Sequence, residues 1–332
     1  MLTCLQQPLD LARRNFLLLS AHIDRELTMS LPMFAEHDTV FAMPGWFSRR
    51  YCRWETSDWY GWVDSDLYEH LPDPVRQNPE KLLTLPQSVP VRDARNLLKR
   101  LRIGQTDLWL KRFGKAHIVD AAVYAFRAGK SAQSWNKSLA LIAAGFHVPR
   151  PLLALRGRGI GKGMMGLFGS QHVNAIPLQD LMAATGAKEK QASLIRQLGS
   201  FLAGLHNQGF RHRDLRQGNL LVQECGLSTF RFYLIDVNRL QRYESLNWTQ
   251  RIRELERLFL VGPEAEWFFE GYAADRNVTE VANDYRRRVR YAEELEYRTL
   301  GRLRRKLWYY LWELRAFPPG VHGSRPVSMW PD

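Results

Sequence analysis

The stretch from Phe210 to Arg239 limits what this 332-residue chain can fold into more than any other. It opens Phe-Arg-His-Arg-Asp-Leu-Arg-Gln-Gly-Asn and runs into the apolar Leu220, Leu221 and Val222. A polar, Gly-containing turn at 224–228 follows, then an alternating segment from Phe230 to Ile235 that ends on Asp236. This pattern predicts a short hairpin with Asn219 before one strand and Asp236 after the other. Lys190 to Asn207, immediately upstream, places Leu194, Ile195, Leu198, Phe201, Leu202 and Leu205 on one face and meets Gly209 as a stop. It therefore reads as a helix feeding the loop, with His206 as a packed ring near its end. Asp214 on that loop can address a hydroxyl, while Asn219 and Asp236 converge as oxygen ligands for one hard metal ion.

The rest of the composition bounds the class. Hydrophobic residues make up 45% and charged residues 24%, which is ordinary for a folded domain of this size. Cys4, Cys52 and Cys225 are odd in number and have no CxxC spacing, so neither a disulfide framework nor a zinc site is expected. A reducing compartment fits. The apolar run at Phe16–Leu19 is closed by Ser20, His22 and Asp24, so no bilayer span and no secretion signal are expected. The net charge of +13 and pI near 9.8 predict attraction to phosphate-bearing partners: nucleic acid, anionic headgroups or a phosphorylated glycolipid. No nucleic-acid reader motif accompanies the charge, so nucleic acid is not expected as the partner.

Residues 1–90 read as an irregular extension, with helical features at Leu9–Leu27 and then seven prolines from Pro32 to Pro90. Trp46, Trp54, Trp59 and Trp62 lie among Arg49, Arg50 and Arg53 and are assigned to core, with base stacking or a membrane interface as the alternative. Asn96–Ile103 and Thr106–Phe113, joined by Gly104-Gln105, predict a hairpin that carries Lys111. Ser131–Ala144 predicts a helix with Ala132, Trp135, Leu139 and Ile142 on one face and Gly145 as its stop. The glycines between Gly157 and Gly169 fail the Walker spacing, with Gly163 where Ser or Thr should stand, and read as a hairpin turn. Ile176–Met182 reads as a hinge leading into a helix. Beyond Arg239 the chain looks helical to about Phe317, and the basic stretch Asn283–Arg315 carries Trp308, Tyr309, Tyr310 and Trp312. Two readings fit that stretch: a helix lying on an anionic membrane, or a solvated face with core aromatics.

Four ordered motifs carry a resemblance: Leu110–Phe113, Ala144–Pro151, Leu205–Asp214 and Leu234–Arg239. Together they resemble the lipopolysaccharide kinases that phosphorylate Kdo or heptose in the bacterial inner core, a branch of the protein-kinase-like superfamily. Ile235-Asp236-Val237-Asn238-Arg239 is similar to these sugar kinases, where a protein kinase would carry Phe-Gly after the metal Asp. The resemblance implies an α+β, two-lobed fold: a small antiparallel-sheet lobe over 91–178 and a larger helical lobe over 179–332, preceded by the extension. It implies ATP and Mg2+ as cofactors, with Lys111 on the nucleotide phosphates, Asn219 and Asp236 on the metal, Asp214 orienting the acceptor hydroxyl and Arg216 reaching the phosphate in flight. It also implies a core glycolipid acceptor and peripheral work at the cytoplasmic face of the inner membrane. Nothing in the sequence names a protein partner. The helix Glu that should pair with Lys111 is missing, since no acidic residue lies between Asp120 and Asp180 and Ser134 holds the aligned position. A catalytically weak scaffold that binds nucleotide or glycolipid is therefore the alternative function. A drug phosphotransferase of similar fold fits the positive charge poorly.

Overall fold

The computed structural model describes residues 50–86, 89–92, 96–113, 129–158, 165–298 and Met329. Leu9–Leu27, Trp46 and the aromatic end of the basic stretch lie outside them. In chain order the amino-terminal part forms β1 (Tyr51–Glu55), β2 (Trp59–Asp64), α1 (Ser65–Glu69), α2 (Asp73–Gln77), a 3-10 turn at Pro79–Thr84, β3 (Val89–Arg92), β4 (Asn96–Ile103), β5 (Thr106–Phe113), α3 (Lys130–Ala143), β6 (Pro151–Gly157) and β7 (Gly166–Gln171). The seven strands make one antiparallel sheet in the order β1-β2-β6-β7-β5-β4-β3.

For residues 51–64 this corrects the expectation of an irregular extension over residues 1–90, because Tyr51–Asp64 hydrogen-bonds directly into the sheet, while residues 1–49 lie outside the described residues. Hydrophobic burial draws it there. Trp54 and Trp59 join Leu67, Leu82, Leu101, Leu108, Leu110, Leu153 and Leu155 in one core on a single face of the sheet. Prolines that look like breakers in sequence instead open short helical turns: Pro74 sits in the first turn of α2 and Pro79 in that of the 3-10 turn. Buried Asp64 ties the segment down, capping α1 through Leu67 N and accepting from Arg50 and Arg150. Burial alone would raise its pKa, but the two guanidinium groups hold it below the usual carboxylate range.

Strand alternation then decides what faces the site. Leu108 and Leu110 point into the buried core, so Trp109 and Lys111 point the other way. Register pairs Lys111 with Leu98 and Phe168, and Trp109 with Ser170, and all five line one cavity.

The carboxy-terminal part holds β8 (Ile176–Pro177), α4 (Leu178–Ala184), α5 (Lys188–Asn207), β9 (Phe210–Arg211), β10 (Leu220–Glu224), β11 (Phe230–Leu234), β12 (Gln241–Arg242), α6 (Trp248–Leu255), α7 (Glu264–Tyr272) and α8 (Val278–Arg298). Its core joins the apolar face of α5 to α7 through Phe268, Phe269 and Tyr272. The α5–α7 approach is backbone-close, since a Cβ on Gly199 would stand 2.2 Å from Phe268 O. Gly209 stops α5 with φ +77, and a side chain there would collide with Tyr243 O at 1.9 Å. The result is an α+β fold with a sheet-rich part and a helix-rich part. In the described portion of the basic stretch, Arg286 pairs with Glu266 and Arg288 with Asp284 and Glu256, so these arginines are tied into the protein surface.

Candidate active site

The hairpin expected from sequence is present: β10 and β11 pair in register, Leu220 opposite Leu234 and Glu224 opposite Phe230. Asn219 precedes β10 in a 3-10 turn, Gln217–Asn219, and Asp236 follows β11. The backbone bond from Ile235 N to Asn219 O, 3.1 Å, locks the two ends together. Asn219 Nδ2 also donates to Asp214 O at 2.8 Å, so the loop and hairpin are one unit.

Asp236 adopts a left-handed conformation, φ 55 and ψ 42, which is strained for a residue with a Cβ and turns its carboxylate out of the strand line. Its Oδ1 accepts from Lys111 Nζ at 2.8 Å and from Asn238 Nδ2 at 3.1 Å. This contact orients Lys111 in place of a helix Glu. Ser134, at the position where that Glu was sought, donates its hydroxyl to Lys130 O and lines the same cavity as Lys111. The Lys111 ammonium also lies 5.2 Å from the centre of the Phe113 ring.

That cavity, about 630 Å³, contains Lys111, Asn219 and Asp236 among its lining residues, along with apolar Leu98, Phe168 and Leu221. Its far wall is the segment between β7 and β8, where Trp109 Nε1 donates to His172 Nδ1 at 3.0 Å. Burial and the charge of Arg100 push the His172 pKa down, which keeps the accepting nitrogen unprotonated near neutral pH. Lys111, Asn219 and Asp236 are thus brought together as the sequence predicts.

Asp214 stands at a different edge, among guanidinium groups. Arg216 Nε lies 3.2 Å and Arg257 Nη1 3.5 Å from its Oδ1, and Arg239 Nη1 lies 3.8 Å from its Oδ2. Arg216 therefore touches Asp214 as well as being exposed to solvent. Arg257 also donates to Arg213 O at 2.8 Å, bracing the loop from the carboxy-terminal helices.

A buried carboxylate holds this loop in shape. Glu254, on α6, accepts from His206 Nε2 at 3.0 Å, from His212 N at 3.2 Å and from Arg213 N. Burial would raise its pKa, but the hydrogen bond and charge of His206, with Arg211 and His212 nearby, outweigh that and lower it to about 2. Arg213 needs the support, because it too sits at a left-handed φ of 63. His206 completes the network through Tyr272 Oη at 2.6 Å, in keeping with a structural role.

A family model described as lipopolysaccharide kinase (Kdo/WaaP) family matches residues 94–292, more than half of the chain. This chain belongs to that family. A 3-deoxy-D-manno-octulosonic acid kinase from Vibrio parahaemolyticus serotype O3:K6 (strain RIMD 2210633) is 30% identical over 132 residues, 39% of this chain and 50% of the relative. The match thus spans half the length of that curated relative. A solved structure of WaaP in complex with acyl carrier protein has 15% identity and a TM-score of 0.48, covering 68% of this chain and 95% of that one. A structure of spectinomycin phosphotransferase with ADP and spectinomycin has 13% identity and a TM-score of 0.38, covering 63% and 80%.

In this lipopolysaccharide kinase family member, sequence reading missed Glu254, Lys137 and Arg257. Glu254 lies 40 residues after Asp214 on an ordinary amphipathic helix, and nothing local marks it as a loop anchor. Lys137 follows Ser134 by about one turn of α3, a spacing that would place it near the site only once the helix orientation is known.

Proposed function

We propose that this protein is an ATP-dependent kinase that transfers the γ-phosphate to a sugar hydroxyl of the lipopolysaccharide inner core, on heptose or Kdo. The observation that carries the reading is the convergence of Lys111, Asn219 and Asp236 on one cavity, with Asn219 bonded to the Asp214 backbone. Phosphoryl transfer asks a protein mainly for positioning and positive charge, and this arrangement supplies both.

Asp214 orients the acceptor hydroxyl and takes its proton as the new bond to the γ-phosphorus forms and the bond to the bridging oxygen breaks, with ADP as the leaving group. Arg216, Arg239 and Arg257 hold the Asp214 carboxylate and concentrate positive charge where the phosphoryl group passes. Lys111, aimed by Asp236, meets the nucleotide phosphates. The base enters between Trp109, Leu98 and the segment around His172. One carboxylate and one amide oxygen fit Mg2+, which is bound through one or two carboxylates and completed by substrate phosphates, so Asp236 and Asn219 would hold it. When bound, the ion neutralises charge on the phosphate oxygens. Among the described residues no helix is long and apolar enough to cross a membrane. A peripheral position on the cytoplasmic face of the inner membrane, favoured by the +13 charge, fits a lipid-anchored acceptor.

The test is mass spectrometry of core oligosaccharide from the source bacterium beside a strain whose chromosomal copy carries Asp214→Asn. Loss of one phosphate in the variant is expected, and fragmentation then names the sugar. An unchanged core rejects this substrate. The absent helix Glu favours a second reading, a weakly active scaffold that binds nucleotide or glycolipid. Mg-ATP turnover by the purified chain, abolished by Asp214→Asn, would eliminate it.

A further inference from the structure

A second cavity, about 450 Å³, opens beside Asp214 and takes no part in the nucleotide scheme. The 3-10 turn Val237–Arg239 lies between the two cavities: Val237 lines the first, and Asn238 and Arg239 line the second. Its walls carry five cations, Lys137 from α3, Arg211, Arg213, Arg239 and Arg257, against one carboxylate, Glu254. Glu254 offsets part of this charge, since Arg211 helps to lower its pKa, and Asp214 meets Arg239 and Arg257 from outside the lining, so two carboxylates stand against five cations. Gln133, Asn238 and Gln241 add amide groups suited to hydroxyls.

The remaining excess of positive charge around one volume favours an anion within it. Burial, and after it the charge of Arg213, pull the Lys137 pKa down to about 8. Planar guanidinium groups match carboxylate and phosphate oxygens, and the volume lies within the roughly 300–1,000 Å³ range of small-ligand sites. Arg239 and Arg257 line this cavity and also reach Asp214, at 3.8 and 3.5 Å. A group anchored here therefore lies one side chain away from the residue that orients the acceptor. The nucleotide phosphates have their own cation in Lys111, which does not line this cavity.

We propose that this cavity is an oxyanion subsite that holds a carboxylate or phosphate carried by the acceptor sugar, so that an acidic group next to the reacting hydroxyl sets acceptor choice. Its assignment to the acceptor rests on the kinase reading above; the oxyanion site itself does not.

The experiment is equilibrium dialysis of the full chain against radiolabelled inorganic phosphate at constant ionic strength, paired with steady-state kinetics on core glycolipid in detergent micelles. Lys137→Gln removes the charge while keeping a donor for Asn238 O, which Lys137 Nζ bonds at 2.5 Å. Gln133→Glu puts a like-sized anion into the cavity. Lys111→Met controls for phosphate held in the nucleotide cavity, and thermal melts confirm that each variant is folded. Phosphate should be retained by the wild type and by Lys111→Met and bind at least tenfold more weakly to the other two variants. Lys137→Gln should also raise the acceptor KM about tenfold with the ATP KM unchanged. Retention lost in both variants with an unchanged acceptor KM keeps the oxyanion site, gives it to a free anion and overturns the acceptor assignment. No retention by the wild type above that of Gln133→Glu overturns the subsite altogether. Absence of transfer to any glycolipid sinks the kinase reading and leaves the dialysis result to stand or fall alone.

Discussion

Glu254→Gln tests the claim that a buried carboxylate holds the loop carrying Asp214. The residue is 2% exposed and its carboxylate accepts three hydrogen bonds, from His206 Nε2 and from the amides of His212 and Arg213. Glutamine keeps the shape but loses the charge and places an NH2 against donors. Lowering a carboxyl from 4.5 to about 2 corresponds to about 3 kcal/mol of native-state stabilisation. Loss of a buried charge partner supports the same order, about 3–5 kcal/mol. The sign follows from linkage: with its pKa depressed in the folded state, Glu254 contributes fully above the unfolded value near 4.5 and loses that contribution as pH falls towards 2. Urea denaturation of wild type and variant should therefore show a gap of about 3 kcal/mol at pH 7 that shrinks to roughly half or less by pH 3. Turnover should fall with it, because Arg213 at φ 63 is no longer held. A gap below about 0.5 kcal/mol at pH 7, the size of an ordinary surface substitution, or one that does not narrow with acid, would refute the reasoning.

Lys111→Met removes the partner of Asp236 at a half-exposed pair, so the melt should move by no more than about 1 kcal/mol while kcat/KM for ATP drops roughly a hundredfold or more. Equal loss in both would mark Lys111 as structural. Trp54→Ala tests whether residues 51–64 belong to the sheet: it empties a fully buried site and frees the Arg76 carbonyl that the indole bonds, costing about 3–5 kcal/mol by denaturant midpoint. A change near zero would return that segment to the status of an appendage. Gly199→Ala drives a methyl to 2.2 Å from Phe268 O and should cost about 3 kcal/mol in thermal unfolding, whereas Gly186→Ala, with open space around it, should cost little.

Much of the site was legible in sequence because its parts are local. The spacing of Asp214, Asn219 and Asp236 around a hairpin is a statement about loop and strand lengths, and the hairpin formed as read. Lys111 was legible because strand alternation separates it from Leu108 and Leu110. The strands of residues 51–64 were missed because β2 joins the sheet through β6, about 90 residues away, with β1 attached only through β2, and the prolines that follow them gave a false picture of irregular chain. The replacement for the missing helix Glu was missed for a related reason: Asp236 had already been assigned to the metal, and only the folded geometry shows that it orients Lys111 as well.

The sequence by itself determined the elements and the chemical inventory, since helix and strand periodicity, glycine stops and the residues available for phosphoryl chemistry are written within short windows. Tertiary structure decided which charges meet. Five cations from α3, β9, the loop, the turn after β11 and the 3-10 turn that follows α6 surround one cavity, and Glu254 reaches back to the loop that precedes it by some 40 residues. Electrostatic interaction depends on distance and burial rather than on order along the chain, and both quantities exist only once the helices have packed.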